Sequence, residues 1–200
     1  IAITNQRESI VMWDKQTGKP LAPAIIWQDR RTANYCKTLA TESASNSMND
    51  PVHQDIDSVS MAHEVQRITG LRLDPYFSAS KIAWLLENNP KLSVRASRGE
   101  IAVGTIDSWL IYKLTGGEHV IDVTNASRTL LFDIHKLAWS ETLCDRFAIP
   151  MNILPKVLSS DGDFGKTKKG LFAKQIPIQA VLGDQQAALF GQGCLDAGMA

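Results

Sequence analysis

The sequence predicts an α/β fold, a mixed sheet with flanking helices. Short apolar runs that read as strands alternate with amphipathic stretches that read as helices. Several of the strand runs end in dense polar clusters, where open α/β sheets place their ligands. Two early strand runs are joined by a turn marked by Gly18 and Pro20, which makes the sheet mixed rather than wholly parallel.

Residues 1–4 read as a short buried strand ending in the polar cluster Asn5-Gln6-Arg7-Glu8, and residues 9–14 as a second strand. Residues 24–27 are expected to be a third, ending in Gln28-Asp29-Arg30-Arg31, followed by a helix over 32–39. Residues 41–60 are rich in Ser, Asn, Asp and Thr and read as a surface insertion. Helices are expected at 63–69, stopped by Gly70, and at 80–88, ended by Asn88-Asn89-Pro90. A strand at 101–103 and a helix at 107–114 follow, then a strand at 120–121, a polar loop at 124–127 and a strand at 129–132. Ser140 caps a helix over 140–147, and Pro150 and Pro155 bracket a loop. The apolar run within 174–182 is the last strand; it breaks at Gly183, presents Asp184 and starts a helix at Gln185.

Composition removes several classes. Lys+Arg and Asp+Glu both number 21, and no basic stripe is interleaved with aromatics, so nucleic acid is not expected as a partner. No run of eighteen or more apolar residues could span a membrane. Cys36, Cys144 and Cys194 are scattered and odd in number, which fits thiols in a reducing, cytoplasmic compartment. The four histidines have no metal-ligand spacing, so no metal site is expected from protein side chains. No phosphate-binding loop, dinucleotide fingerprint or nucleophile elbow is present. The opening without Met, inside a strand, and the ending just after a helix suggest a piece of a longer protein.

The residues that could carry chemistry sit at strand ends. Asp184 is either a carboxylate at a ligand-binding strand end or a helix cap. Arg7 and Glu8 offer a donor and an acceptor side by side, which a neutral polyol needs; a surface ion pair is the alternative. Trp27 is either a face for the C–H side of a polyol or a core residue. Asp74-Pro75-Tyr76-Phe77 is a rigid turn that presents a phenol or plugs the core.

Together these stretches resemble the FGGY family of carbohydrate kinases. The resemblance is carried by Ile3-Thr-Asn-Gln-Arg-Glu8, Ala24-Ile-Ile-Trp-Gln-Asp-Arg-Arg-Thr32, Asp74-Pro-Tyr-Phe-Ser78 and Tyr76-Phe-Ser-Ala-Ser-Lys81-Ile-Ala-Trp84-Leu-Leu-Glu-Asn88. It continues through Thr105-Ile-Asp-Ser-Trp-Leu110, Asp122-Val-Thr-Asn-Ala-Ser-Arg-Thr129 and Gly183-Asp-Gln-Gln-Ala-Ala-Leu-Phe-Gly191. It implies a ribonuclease-H-like, actin-like N-terminal domain, truncated at both ends, with the nucleotide-binding C-terminal domain lying outside residues 1–200. The implied reaction is ATP-dependent phosphorylation of glycerol to sn-glycerol 3-phosphate, with Mg2+ bound by other parts of the intact protein. The Asn-Gln-Arg-Glu and Asp-Pro-Tyr-Phe segments favour glycerol over pentuloses such as xylulose. A non-catalytic actin-like module is the alternative of a different class.

By position, the resemblance makes Asp184 the general base and assigns Arg7, Glu8, Trp27, Tyr76, Asp184 and Gln185 to glycerol. Residues 1–200 alone are then expected to bind glycerol weakly at best and to transfer no phosphate. A homo-oligomer is compatible with the intact protein.

Overall fold

The computed structural model describes residues 1–45 and 60–199. β1 (Ala2–Asn5) and β2 (Ile10–Asp14) precede α1 (Ala33–Ser45). Three helices follow: α2 (Met61–Thr69), α3 (Ser78–Glu87) and α4 (Pro90–Ser97). β3 (Ile101–Thr105) runs straight into α5 (Ile106–Thr115), and β4 (Val120–Asp122) into the single turn α6 (Val123–Ala126). A small ribbon, β5 (Phe132–Asp133) and β6 (Ala138–Trp139), leads to α7 (Glu141–Arg146). A 3-10 turn at Met151–Ile153 precedes β7 (Lys156–Leu158), and β8 (Ala180–Gly183) passes directly into α8 (Asp184–Gly191).

Local chemistry explains most boundaries. The Ser60 side chain accepts from His63 N–H to open α2, and Gly70 closes it at φ 71°, a left-handed conformation that glycine adopts without a Cβ penalty. Ser140 caps α7 as expected, accepting from Leu143 N–H. Helix α4 was not expected, because Asn88-Asn89-Pro90 reads as a stop. It is a stop and a restart: the Asn89 side chain accepts from Leu92 N–H, and Pro90 occupies the first turn, where its missing N–H costs nothing.

β1 and β8 pair in parallel, with Asn5 opposite Gly183, and β4 and β7 in parallel, with Asp122 opposite Leu158. β2 and β3 pair antiparallel, as do β5 and β6. Both directions occur, as expected, but among the described residues they fall in separate two-stranded pairs, and the strand expected at 129–132 is confined to Phe132–Asp133. Residues 24–27 form no strand; Ile25 makes an isolated antiparallel bridge to Ile10, and Pro20 another to Trp13. Pro20 and Pro23 have no N–H to donate, so contact with β2 is intermittent: Leu21 N–H donates to the Met12 carbonyl, and Ile10 and Ile25 exchange backbone hydrogen bonds. The last strand is confined to Ala180–Gly183, since Pro177 interrupts the run before it. The polar loop at 124–127 is helical instead, because the Asp122 side chain accepts from Thr124 and Asn125 N–H groups and nucleates a turn. Residues 41–45 close α1 rather than opening a loop, and the remainder of the expected insertion lies outside the described residues.

The larger core packs β2 and β3 against α2, α3, α4 and α7, through residues such as Ile10, Met12, Val65, Ile82, Val103 and Phe147. A second, smaller core of Ile3, Ile111, Val120, Phe164, Ile178 and Val181 lies between β1, β8 and α5. It fixes the depth and direction of β1 and β8. The carboxyl ends of those two strands therefore open side by side at one edge of the molecule, carrying Arg7 and Asp184 just beyond them.

Candidate functional site

Every residue expected at the site meets there. Gln6, Arg7, Glu8, Trp27, Tyr76, Asp184 and Gln185 line one cavity of about 130 Å³. These residues come from four places along the chain: the turn after β1, the bridge region at 25–27, the turn before α3, and the first turn of α8.

The floor is charged. Arg7 Nε stands 3.3 Å from Asp184 Oδ1 and 3.9 Å from Glu8 Oε1. Arg7 Nη1 donates to Gln186 Oε1 at 3.2 Å. Arg7 Nε is buried and makes no directed hydrogen bond, so it meets its two carboxylates as an ion pair. The side chains of Arg7 and Glu8 are only 9% and 2% exposed, which excludes a surface ion pair, whereas that of Asp184 is 45% exposed and reachable by a ligand.

Glu8 takes its position at a backbone cost. Its φ is 57°, in the left-handed region where a side chain loses about 1–2 kcal/mol. Ser9 N–H donates to Arg7 carbonyl across it, and Ser78 Oγ donates to Glu8 carbonyl at 3.0 Å. The bent backbone drives the Glu8 carboxylate inward, where Arg128 Nε donates to Oε1 at 2.7 Å. Strain of this kind concentrates at ligand sites.

The walls are aromatic. Trp27 and Tyr76 meet edge to face with ring centroids 5.7 Å apart. Trp27 is 36% exposed, so it is not a core tryptophan; its backbone N–H donates to Ser9 Oγ at 3.1 Å. Tyr76 N–H donates to Asp74 Oδ1 at 2.8 Å. Burial pushes the Tyr76 phenol above its ordinary pKa, and the Glu8 carboxylate adds to the effect.

Asp184 is not the helix cap. Gly183 occupies that position without a side-chain bond, and Asp184 is the first helical residue, its Oδ1 accepting from Gln185 N–H at 2.9 Å. Gly183 has φ −60°, so it is not needed for a left-handed turn. It is needed for proximity: a Cβ there would overlap Arg7 Cδ and lie 2.8 Å from Cγ.

Several site residues were not foreseen. Arg128 lies within a recognised block, yet nothing local marks it as the partner of Glu8, 120 positions earlier. Its guanidinium also covers the rings of Phe77 at 4.9 Å and Tyr76 at 5.9 Å. Lys81 is fully buried beneath the aromatic wall and donates to the carbonyls of Pro75, Tyr76 and Phe77 at 2.8, 2.5 and 3.1 Å. A lysine three residues into an amphipathic helix reads from sequence as a solvated charge.

Burial lowers the Lys81 ammonium from 10.5 to about 8, against the opposing pull of Glu8, Asp29, Cys36 and Asp74. The unfolded chain then binds the extra proton between pH 8 and 10.5, so the contribution of Lys81 to stability rises with pH across that window. The unfolding free energy of the protein minus that of Lys81→Met is expected to increase from pH 8 to pH 10. Urea unfolding at both pH values measures it, and a flat or falling difference contradicts it.

Among the described residues no cluster of three or more His, Cys, Asp or Glu is placed to hold a metal. No described helix is long and apolar enough to cross a membrane.

Comparison with known proteins places this chain in one family. Residues 1–191 fit the model of the N-terminal domain of the FGGY family of carbohydrate kinases. A glycerol kinase of Acinetobacter baylyi is 50% identical over 201 aligned positions, covering 100% of this chain and 37% of that protein. The crystal structure of Plasmodium falciparum glycerol kinase with ADP superposes with a TM-score of 0.84 at 40% identity, covering 100% of this chain and 37% of that one. A xylulose kinase from Rhodospirillum rubrum shares the fold, with a TM-score of 0.79 at 19% identity, covering 99% of this chain and 37% of that one. The chain thus spans little more than a third of the length of the relatives it matches, and it has the actin-like α/β fold expected from its sequence.

Proposed function

The chain belongs to the FGGY family of carbohydrate kinases, and on that premise we propose that the intact protein phosphorylates glycerol with ATP, giving sn-glycerol 3-phosphate. Residues 1–200 supply most of the glycerol site in this reading, and the nucleotide and its Mg2+ are assigned to the rest of the intact protein. One observation carries it: Arg7, Glu8 and Asp184 converge within ion-pair distance on a small cavity walled by Trp27 and Tyr76.

A triol offers hydroxyl donors and acceptors on a short apolar backbone. The paired charges of Arg7 and Glu8 satisfy hydroxyls as donor and acceptor, and the two rings cover the carbons. Glu8 Oε1 is held by Arg128, so Oε2 is the oxygen assigned to a ligand hydroxyl. Asp184 Oδ1 is engaged by Gln185 N–H and Arg7, so Oδ2 is assigned the proton of the attacking hydroxyl. Gln185, beside it, lines the same cavity and is assigned to a further hydroxyl. In phosphoryl transfer the protein mainly positions groups and stabilises charge, which suits this set. Among the described residues no cluster of three or more His, Cys, Asp or Glu is placed to hold Mg2+, which supports its assignment to the rest of the intact protein. The intact enzyme is assigned to the cytoplasm, where ATP is supplied and Cys36, Cys144 and Cys194 stay free thiols.

Glycerol is favoured over a pentulose because relatives at about half identity are glycerol kinases, while the xylulose kinase likeness extends to the fold alone. A binding-only module has no use for a reachable carboxylate beside a buried arginine. Phosphorylation of glycerol and of D-xylulose by the intact protein tests the reading. We expect kcat/KM to favour glycerol by at least about a hundredfold, since unmatched hydroxyls leave buried polar groups unpaired. Preference for the pentulose, or no phosphoryl transfer to either, refutes it.

A further inference from the structure

Outside the cavity, one buried network touches the strand ends on both sides of it. Asp122, fully buried at the end of β4, accepts five hydrogen bonds and faces no cation within ion-pair distance among the described residues. Its Oδ1 accepts from the backbone N–H and the amide of Asn125, at 3.0 and 2.7 Å. Its Oδ2 accepts from Thr124 N–H, Thr124 Oγ1 and Ser160 Oγ, at 2.9, 2.6 and 2.8 Å. The two residues it orients then reach across to β1 and β8. Asn125 and Asn5 exchange amide hydrogen bonds of 3.0 and 3.3 Å. Gly183 N–H donates to Thr124 Oγ1 at 2.8 Å.

Asn5 and Gly183 are register partners in the parallel ladder. Asn5 lies two residues before Arg7, and Gly183 immediately precedes Asp184. Consecutive residues of one helical turn therefore grip the two strands at the rung from which both charged groups project. Val181 N–H, on the same edge of β8, donates to the Ser160 carbonyl at 2.9 Å, so the grip on β8 is double. The Thr124 hydroxyl has its proton committed to Asp122, which leaves its lone pairs facing Gly183. A free hydroxyl would rotate; this one is held in the accepting orientation.

We infer that Thr124 is a positioning residue for Asp184: its hydroxyl, oriented by Asp122, fixes the Gly183 amide and with it the angle at which α8 presents the carboxylate. This rests on the assignment of Asp184 as the base. The energetic logic is orientation. A carboxylate that is 45% exposed and engaged through one oxygen keeps its aim only if its backbone is fixed.

The test compares Thr124→Val, isosteric but unable to accept, with Thr124→Ser, which keeps the hydroxyl, in the intact protein. In Thr124→Val we expect kcat to fall roughly tenfold to a hundredfold, with the glycerol KM changed by less than about threefold. The Gly183 amide exchanges faster with deuterium in that variant, and Thr124→Ser restores both readouts. Should Thr124→Val fail to fold, Thr124→Ala takes its place in the same comparison. Wild-type kcat in the variant, a loss confined to KM, or an equal loss in Thr124→Ser overturns the positioning role. Asp184→Asn is measured beside them. If that variant is inactive while Thr124→Val is unimpaired, only the positioning role falls; if it keeps full turnover, the base assignment falls and the positioning role with it.

Discussion

Replacing Asp184 by Asn in the intact protein is expected to lower kcat by about 10²–10⁴, the range a positioned general base supplies. The substitution keeps shape and the acceptor for Gln185 N–H, a 2.9 Å bond. It removes the negative charge and the capacity to take a proton. Arg7 loses its 3.3 Å partner but retains Glu8 at 3.9 Å, itself anchored by Arg128 at 2.7 Å. The arginine therefore stays in place, and glycerol affinity is expected to weaken by far less than turnover. Initial-rate kinetics over a range of glycerol, with ATP saturating, separate the two effects. Unchanged turnover removes Asp184 from the mechanism, and a loss wholly in KM makes it a binding residue instead.

The second large effect is expected from a methyl group. Gly183→Ala introduces a Cβ that collides with the Arg7 stem and comes within 3.0 Å of Gln186 Oε1. The φ of −60° suits alanine, so the backbone accepts the change and the conflict falls on Arg7. Arg7 cannot retreat, because its side chain is 9% exposed and enclosed by Glu8, Asp184 and Gln186. Overpacking of this kind costs about 1–3 kcal/mol of stability. Displacing the guanidinium from its carboxylates is expected to cost about a hundredfold in kcat/KM. If Arg7 is the route of the damage, adding Arg7→Ala to Gly183→Ala costs much less than the sum of the single losses. Additive losses, or an active Gly183→Ala variant, contradict this account.

Much of this molecule is legible along the chain because its signals are local. The capping serine at 140, glycines after helices and apolar runs of strand length report themselves within a few residues. The failures are local conflicts as well. Asn89-Pro90 serves equally as an end and a beginning, and the apolar 24–27 run pairs with β2 through Ile25 and Ile10 without extending into a strand. The six residues assigned by resemblance were all brought to one cavity, but their partners were not readable. Arg128 meets Glu8 across 120 positions, and Gln186 meets Arg7 across 179. No periodicity encodes such pairings.

The sequence by itself determined which chemical groups this protein has and where along the chain they fall: a carboxylate between a strand and a helix, an Arg-Glu pair after another strand, one aromatic ending an apolar run and one in a rigid turn. Those follow from hydrophobic pattern and turn chemistry, which act over a few residues. Only the tertiary structure decided what the groups do to one another. The parallel register of β1 with β8 sets Asn5 against Gly183, which brings Arg7 to Asp184, and a missing Cβ leaves room for the approach. Burial then turns an ordinary Arg-Glu dipeptide into an enclosed ion pair, because removal from water is a property of the packed molecule rather than of any segment of it.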